Sequence, residues 1–260
     1  MTLHTSRQLK SRAATGQKSI ATWCSIPSAF TAEVLARAGF DAVIVDLQHG
    51  LQDFETAFNM LQVIDGQCVP TLCRVHWNEP GIIMKVLDAG FGGVICPMIN
   101  TREEALAFAR ACKYAPLGMR SFGPIRAAIA HGADYGATAN DWVMALPMIE
   151  TLEGLENLDA ILALPEVDGV YVGPSDLGMS MGFAPTLLPG PEVLAAIEQI
   201  RAKAKAAGKF AGIHCGSPEM AAGMLASGFD MATLLSDIRY LQAAMTDMLV
   251  TARAACATIE

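Results

Sequence analysis

The chain has 260 residues, of which 52% are apolar and only 17% charged, so disorder is excluded and a large core is expected, with part of the apolar surplus buried between subunits. A formal charge of −8 and a pI near 5.1 argue against a nucleic-acid partner, because such affinity rests on neutralising phosphates with Lys and Arg, and they favour a small molecule instead. Seven scattered cysteines without a Cys-x-x-Cys give neither a disulfide framework nor a zinc ribbon, and read as reduced thiols of a cytoplasmic protein.

Residues 1–18 are basic and lack acids, which superficially resembles a transit peptide. They contain no apolar h-region, and the strand-like SIATWCSI follows at once. No stretch approaches the roughly 18 apolar residues of a membrane span. Candidate strands follow at 19–26, 41–46, 69–75, 92–97, 143–149, 169–173, 209–213 and 229–234. Three segments share one pattern: LARAGFDAVIVD (35–46), LDAGFGGVICP (87–97) and LASGFDMATLL (225–235), with AKAAGKFAGIH (204–214) a looser copy. In each, a helical stretch stops at a glycine suited to the left-handed position, and the apolar run after it is too short for a helix. Thr101 with Glu104 forms a capping box, and Ser217 before Pro218 marks another helix start.

Eight fully apolar strands alternating with helices predict a single (β/α)₈ TIM barrel over 1–260, an α/β fold with a parallel eight-stranded core. An open doubly wound sheet is the alternative, but no Gly-x-Gly-x-x-Gly follows the first strand. The long irregular segment 114–141 is expected to be a functional loop or lid holding a short helix around 122–130.

Barrel sites lie at the C-terminal ends of strands, and polar residues collect there: Asp46 and His49, Arg74, Glu150, and Gly173 to Asp176. Glu150 and Asp176 would end adjacent strands. Two hard oxygen donors without a neighbouring His or Cys favour Mg²⁺ or Mn²⁺; equally, Glu150 could pair with an arginine and Asp176 cap a helix. Arg74 in the mouth needs an anion, either a substrate carboxylate or an internal acid. His49 suits a base, with Asp46 fixing its tautomer, whereas His4, His76, His131 and His214 read as structural or surface groups. Together these residues suggest enolate chemistry beside a carboxylate, with a metal polarising a 2-oxo group and Arg74 stabilising the oxyanion. Cleavage, isomerisation and decarboxylation all remain open on these residues, and so does a barrel that only senses a 2-oxo acid.

FDAVIVDLQHG, CRVHWNEPGIIMKVLDAG, VICPMINTREEA, GMRSFGP, MIET and VDGVYVGPSDLGMSMG, in this order, resemble the metal-dependent class II pyruvate aldolases of the HpcH/HpaI family, over residues 19 to 240. The resemblance implies reversible cleavage of a 4-hydroxy-2-oxo acid to pyruvate and an aldehyde through a metal-stabilised pyruvate enolate. It implies Glu150 and Asp176 as ligands of a divalent cation (Mg²⁺, Mn²⁺ or Co²⁺), and His49 with Asp46 as the acid/base dyad. Arg74, Gly173, Met148 and the amides of Ser175 and Asp176 would bind substrate. Asp88 would reach a neighbouring subunit's site in a homo-oligomer, hexamer or trimer, whose C-terminal helices (about 237–258) exchange. Many relatives have Gln-Val-Glu where this chain has Met148-Ile149-Glu150, and Gln48 stands where glutamate is frequent. A rival on the same barrel is a citrate-lyase-β or malyl-CoA-type lyase, for whose thioester Arg120 and Arg126 are the basic candidates.

Overall fold

Every strand of the sheet pairs in parallel with its neighbours in sequence, and the last closes on the first. The computed structural model describes residues 6–257. The first half of the chain runs α1 (Ser6–Ala14), β1 (Ser19–Cys24), α2 (Ala29–Arg37), β2 (Ala42–Asp46), α3 (Phe54–Asp65), β3 (Thr71–Arg74), α4 (Pro80–Ala89), β4 (Gly93–Cys96) and α5 (Arg102–Cys112). Then come α6 (Ile125–His131), α7 (Tyr135–Trp142), β5 (Met144–Ile149), α8 (Leu152–Glu156), α9 (Leu158–Leu162), β6 (Gly169–Val172) and α10 (Pro174–Ser180). The chain continues through α11 (Pro191–Ala206), β7 (Phe210–Cys215), α12 (Pro218–Ser227), β8 (Met231–Ser236) and α13 (Asp237–Ala257).

The architecture is the expected (β/α)₈ barrel, and each expected strand forms within two residues of its expected bounds. Closure excludes the open doubly wound sheet. The glycines of the repeated pattern take the left-handed backbone their position requires, with φ of +96° at Gly39, +107° at Gly90 and +123° at Gly228. Thr101 and Glu104 form the reciprocal capping box, and Ser217 caps α12 through the Met220 amide.

Two apolar layers result from the alternation of strand side chains. Val43, Val45, Val94, Val170 and Ile213 face the helices, while Ile44, Leu72, Ile95, Leu146 and Tyr171 fill the barrel. The same period of two, carried one step past the apolar residues, aims Asp46 after Ile44, Arg74 after Leu72 and Glu150 after Met148 into the mouth. Asp46 and Arg74 are register partners on β2 and β3.

The segment 114–141 differs from its expected role. It connects the end of α5 to the start of β5, the end of the barrel opposite the strand C-termini, and holds α6 and α7 against its neighbours. None of its residues lines the cavity at the mouth. The transit-like stretch contains α1, while residues 1–5, including His4, lie outside the described residues. No helix among the described residues is long and apolar enough to cross a membrane.

Candidate active site

A cavity of about 350 Å³ opens at the C-terminal ends of the strands and is lined by Asp46, His49, Arg74, Met148, Glu150, Gly173, Ser175 and Asp176. Those eight sequence-predicted residues therefore meet in one place, from β2, β3, β5 and the turn after β6.

Arg74 and Asp46 form a two-pronged ion pair, Nε donating to Oδ1 at 2.8 Å and Nη2 to Oδ2 at 2.6 Å. The guanidinium carbon also lies 4.2 Å from the Trp23 ring centroid, so one face of the arginine is covered by an indole. Burial pushes the Asp46 carboxyl upward, but Arg74 and the amides of His49 and Gln48 outweigh it and hold the group below its ordinary value. The internal bridge anticipated for Arg74 is thus present, and Nη1 keeps no hydrogen bond among the described residues.

Glu150 is 2% exposed, and Oε1 accepts the Met98 amide at 2.7 Å. Met98 reaches this donor position by adopting a left-handed backbone, φ +55°, in the turn after β4. Burial, reinforced by the charge of Asp176, raises the Glu150 carboxyl to about 7 against the lowering effect of the Met98 amide and Arg74. Neither Glu150 nor Asp176 is in an ion pair among the described residues, where the arginine-paired reading of Glu150 does not hold. Asp176 does not cap α10 either: Gly173 is the N-cap, with Asp176 exposed in the first turn. A Cβ on Gly173 would come 2.3 Å from Glu150 Oε2, so glycine lets the β6 turn pass with this carboxylate in its present position. Two neighbouring acidic groups, one of them buried, without a cationic partner form a donor set that suits a hard divalent cation with open positions for water and substrate. No group of three or more His, Cys, Asp or Glu ligands forms among the described residues, which leaves these two carboxylates as the protein's share.

One expectation needs correction. The Asp46 carboxylate accepts the backbone amide of His49 at 3.3 Å, not its ring; Arg74 occupies the carboxylate instead, and the exposed imidazole has no hydrogen bond among the described residues. Asp88, expected at a neighbouring subunit's site, lies outside the cavity of its own chain: it sits on α4 and its Oδ1 accepts Arg120 Nη2 at 2.6 Å. The side chain of that arginine is fully buried, and Arg126 is held by Asp65, so neither is presented to a thioester pyrophosphate.

Sequence reasoning also passed over part of the wall. His214, on β7, lines the cavity, and its Nδ1 accepts the Trp23 indole N–H at 3.0 Å, which places its proton on Nε2. Burial and the nearby Arg74 charge push it down to about 4. Its signal was the rule applied to Arg74, a polar residue in register with the interior at a strand's C-terminal end. Met98 had no such signal, since it contributes only a backbone amide. His76 is exposed, and His131 bonds the Gly90 carbonyl at 2.8 Å, away from the cavity.

Residues 20–244 match the family model described as HpcH/HpaI aldolase/citrate lyase. A hydroxypyruvate/pyruvate aldolase of Rhizorhabdus wittichii is 44% identical over 240 residues, 92% of this chain and 96% of the relative. A 4-hydroxy-2-oxo-heptane-1,7-dioate aldolase of Shigella sonnei is 37% identical over 209 residues, 79% of each chain. Among solved structures, an HpcH/HpaI aldolase/citrate lyase family protein from Burkholderia cenocepacia J2315 superposes with a TM-score of 0.87 at 29% identity, covering 95% of this chain and 99% of that one.

Proposed function

Because the chain belongs to the HpcH/HpaI aldolase/citrate lyase family, we propose that it is a class II aldolase that reversibly cleaves a 4-hydroxy-2-oxo acid to pyruvate and an aldehyde. The observation that carries this reading is the convergence of Glu150, Asp176, Arg74 and His49 on one cavity, with the two carboxylates left without a cationic partner among the described residues.

Glu150 and Asp176 would hold Mg²⁺, Mn²⁺ or Co²⁺, and the cation when bound supplies Lewis acidity at the 2-oxo group. The amides of Ser175 and Asp176, in the first turn of α10 where no helical acceptor exists, receive the substrate carboxylate. Arg74, braced by Asp46 and Trp23, presents Nη1 to the oxygen that gains charge as the enolate forms. His49 takes the proton from the 4-hydroxyl, through a water; the C3–C4 bond breaks, its electrons pass into the enolate, and the aldehyde departs. Protonation at C3 then gives pyruvate. Met148 and Gly173 close the floor beneath the substrate. In this arrangement Asp46 acts on Arg74 and on the backbone of the His49 turn, rather than on the imidazole itself.

The protein acts as a homo-oligomer, a hexamer or trimer, in the cytoplasm. Only Asp237 of the 21-residue α13 is buried, and Met245, Met248, Leu249 and Val250 are exposed, an unsupported apolar helix that suits exchange between subunits. In such an assembly Asp88 approaches a neighbour's cavity. The engagement of Arg120 and Arg126 in internal pairs weighs against the CoA-thioester alternative.

The test is release of pyruvate from a 4-hydroxy-2-oxo acid with Mg²⁺ or Mn²⁺ and after EDTA. Metal-dependent release supports the reading; undiminished turnover in the chelated enzyme removes the role of Glu150 and Asp176.

A further inference from the structure

The cavity has a second wall, on the β8 side, that the chemistry above does not use. It is formed by Leu187 from the α10–α11 connection, Leu235 at the end of β8, and Ile238 and Arg239 in the first turn of α13. Seven arginines of the described chain are in ion pairs with carboxylates. Arg239 lines the cavity, is exposed, and has no hydrogen bond or ion pair among the described residues.

The backbone that carries Arg239 is firmly placed. Asp237 accepts the amides of Ser25 at 2.9 Å, Ile26 at 3.0 Å and Ile238 at 2.9 Å, which ties the start of α13 to the turn after β1. That carboxylate is engaged by three amides and makes no hydrogen bond or ion pair with the Arg239 guanidinium. One residue beyond, the Tyr240 hydroxyl meets Thr22 Oγ1 at 3.1 Å and the Leu234 carbonyl, and its ring stacks on Phe40. Just ahead of these anchors, Leu235 holds a left-handed backbone, φ +41°, as β8 turns into α13. Such a conformation in a non-glycine residue persists where the surroundings enforce it.

We infer that Arg239 is a specificity-determining residue that receives a carboxylate carried at the far end of the aldehyde half of the substrate, with Leu187, Leu235 and Ile238 covering the carbons between. The inference rests on the aldolase reading above. A planar guanidinium matches a carboxylate with two parallel hydrogen bonds, whereas an uncharged aldehyde of equal length gains only the apolar wall.

The experiment measures addition of pyruvate to 4-oxobutanoate and to butanal, four-carbon aldehydes that differ by the terminal carboxylate, in the Mg²⁺-loaded wild type and in Arg239→Gln and Arg239→Lys. The wild type prefers 4-oxobutanoate. Arg239→Gln lowers the ratio of kcat/KM between the two by about fivefold to tenfold, through KM for the charged aldehyde, as a partly exposed ion pair allows, and Arg239→Lys restores part of it. No wild-type preference, an unchanged ratio, or equal losses on both aldehydes overturns the inference. Exchange of the pyruvate methyl protons in D₂O without aldehyde, followed by NMR in the wild type, separates the two levels. Absent exchange brings down the aldolase reading and this inference with it, while exchange with an unchanged ratio brings down the inference alone.

Discussion

Arg74 lies between two partners that hold it from different sides: Asp46 grips its edge with bonds of 2.8 and 2.6 Å, and Trp23 covers its face at 4.2 Å. Asp46→Asn would leave a largely buried guanidinium without its counter-charge, at a cost of about 3 kcal/mol. The expected result is a urea midpoint lowered accordingly, together with slower turnover as Arg74 loses its fixed position. Arg74→Lys removes the two-pronged contact and the stacking together, and should weaken pyruvate binding more than it destabilises the fold. Equal stability of Asp46→Asn and wild type would show that the pair does not hold Arg74.

His49 is exposed and its ring makes no hydrogen bond among the described residues, so removing it costs the fold little. His49→Ala should keep the wild-type thermal midpoint while aldol cleavage falls by about 10² to 10⁴-fold, the range for a positioned acid or base. A drop below tenfold would assign the proton transfer to another group.

Much of this arrangement was legible because two periodicities coincide. Apolar runs bounded by left-handed glycines announced the strands, and alternation by two, extended one step beyond Ile44, Leu72 and Met148, announced which polar residues enter the mouth. What failed to show were relations that depend on competition between partners. Asp46 stands three residues from His49 in sequence, yet Arg74, its register partner on the next strand, takes the carboxylate because a fork of two charged donors outweighs a single imidazole. The role expected of 114–141 failed for a topological reason: length suggested a lid, but a segment that returns from a helix to a strand start emerges at the closed end of the barrel. The Met98 amide and the anchoring of α13 by Asp237 depend on backbone positions that no side-chain pattern encodes.

Gly173 tests the cation site without replacing a ligand. A Cβ there would lie 2.3 Å from Glu150 Oε2 and 3.1 Å from Met148 Cε. The first is the free end of a side chain, so in Gly173→Ala the carboxylate swings aside and the barrel survives. Calorimetric titration with Mn²⁺ should show affinity reduced more than about tenfold, with the metal-free thermal midpoint close to wild type. Glu150→Gln should lose the cation as well, yet match or exceed wild-type stability in the metal-free state, because the amide keeps an acceptor for Met98 and carries no buried charge. Unaltered Mn²⁺ affinity in both variants would move the cation elsewhere.

His214 provides a pH signature of the folded cavity. Burial first, then the positive charge of Arg74, hold its imidazole down at about 4, below the ordinary value of 6.5, and the Trp23 indole already donates to Nδ1, the atom a proton would need. The unfolded chain, with an ordinary histidine, therefore binds this proton first as the solution is acidified. The contribution of His214 to stability is complete above pH 6.5 and is lost as pH falls from there toward about 4. Several carboxylates titrate over the same interval, so the measurement is the difference between wild type and His214→Asn, whose side-chain oxygen can still accept from the indole. Urea midpoints at pH 7 and pH 4.5 should show the wild type losing ground against the variant on acidification, with no such drift between pH 7 and pH 8. A gap that stays constant from pH 7 to pH 4.5 would mean that His214 titrates alike in both states, and that Trp23 does not hold it neutral.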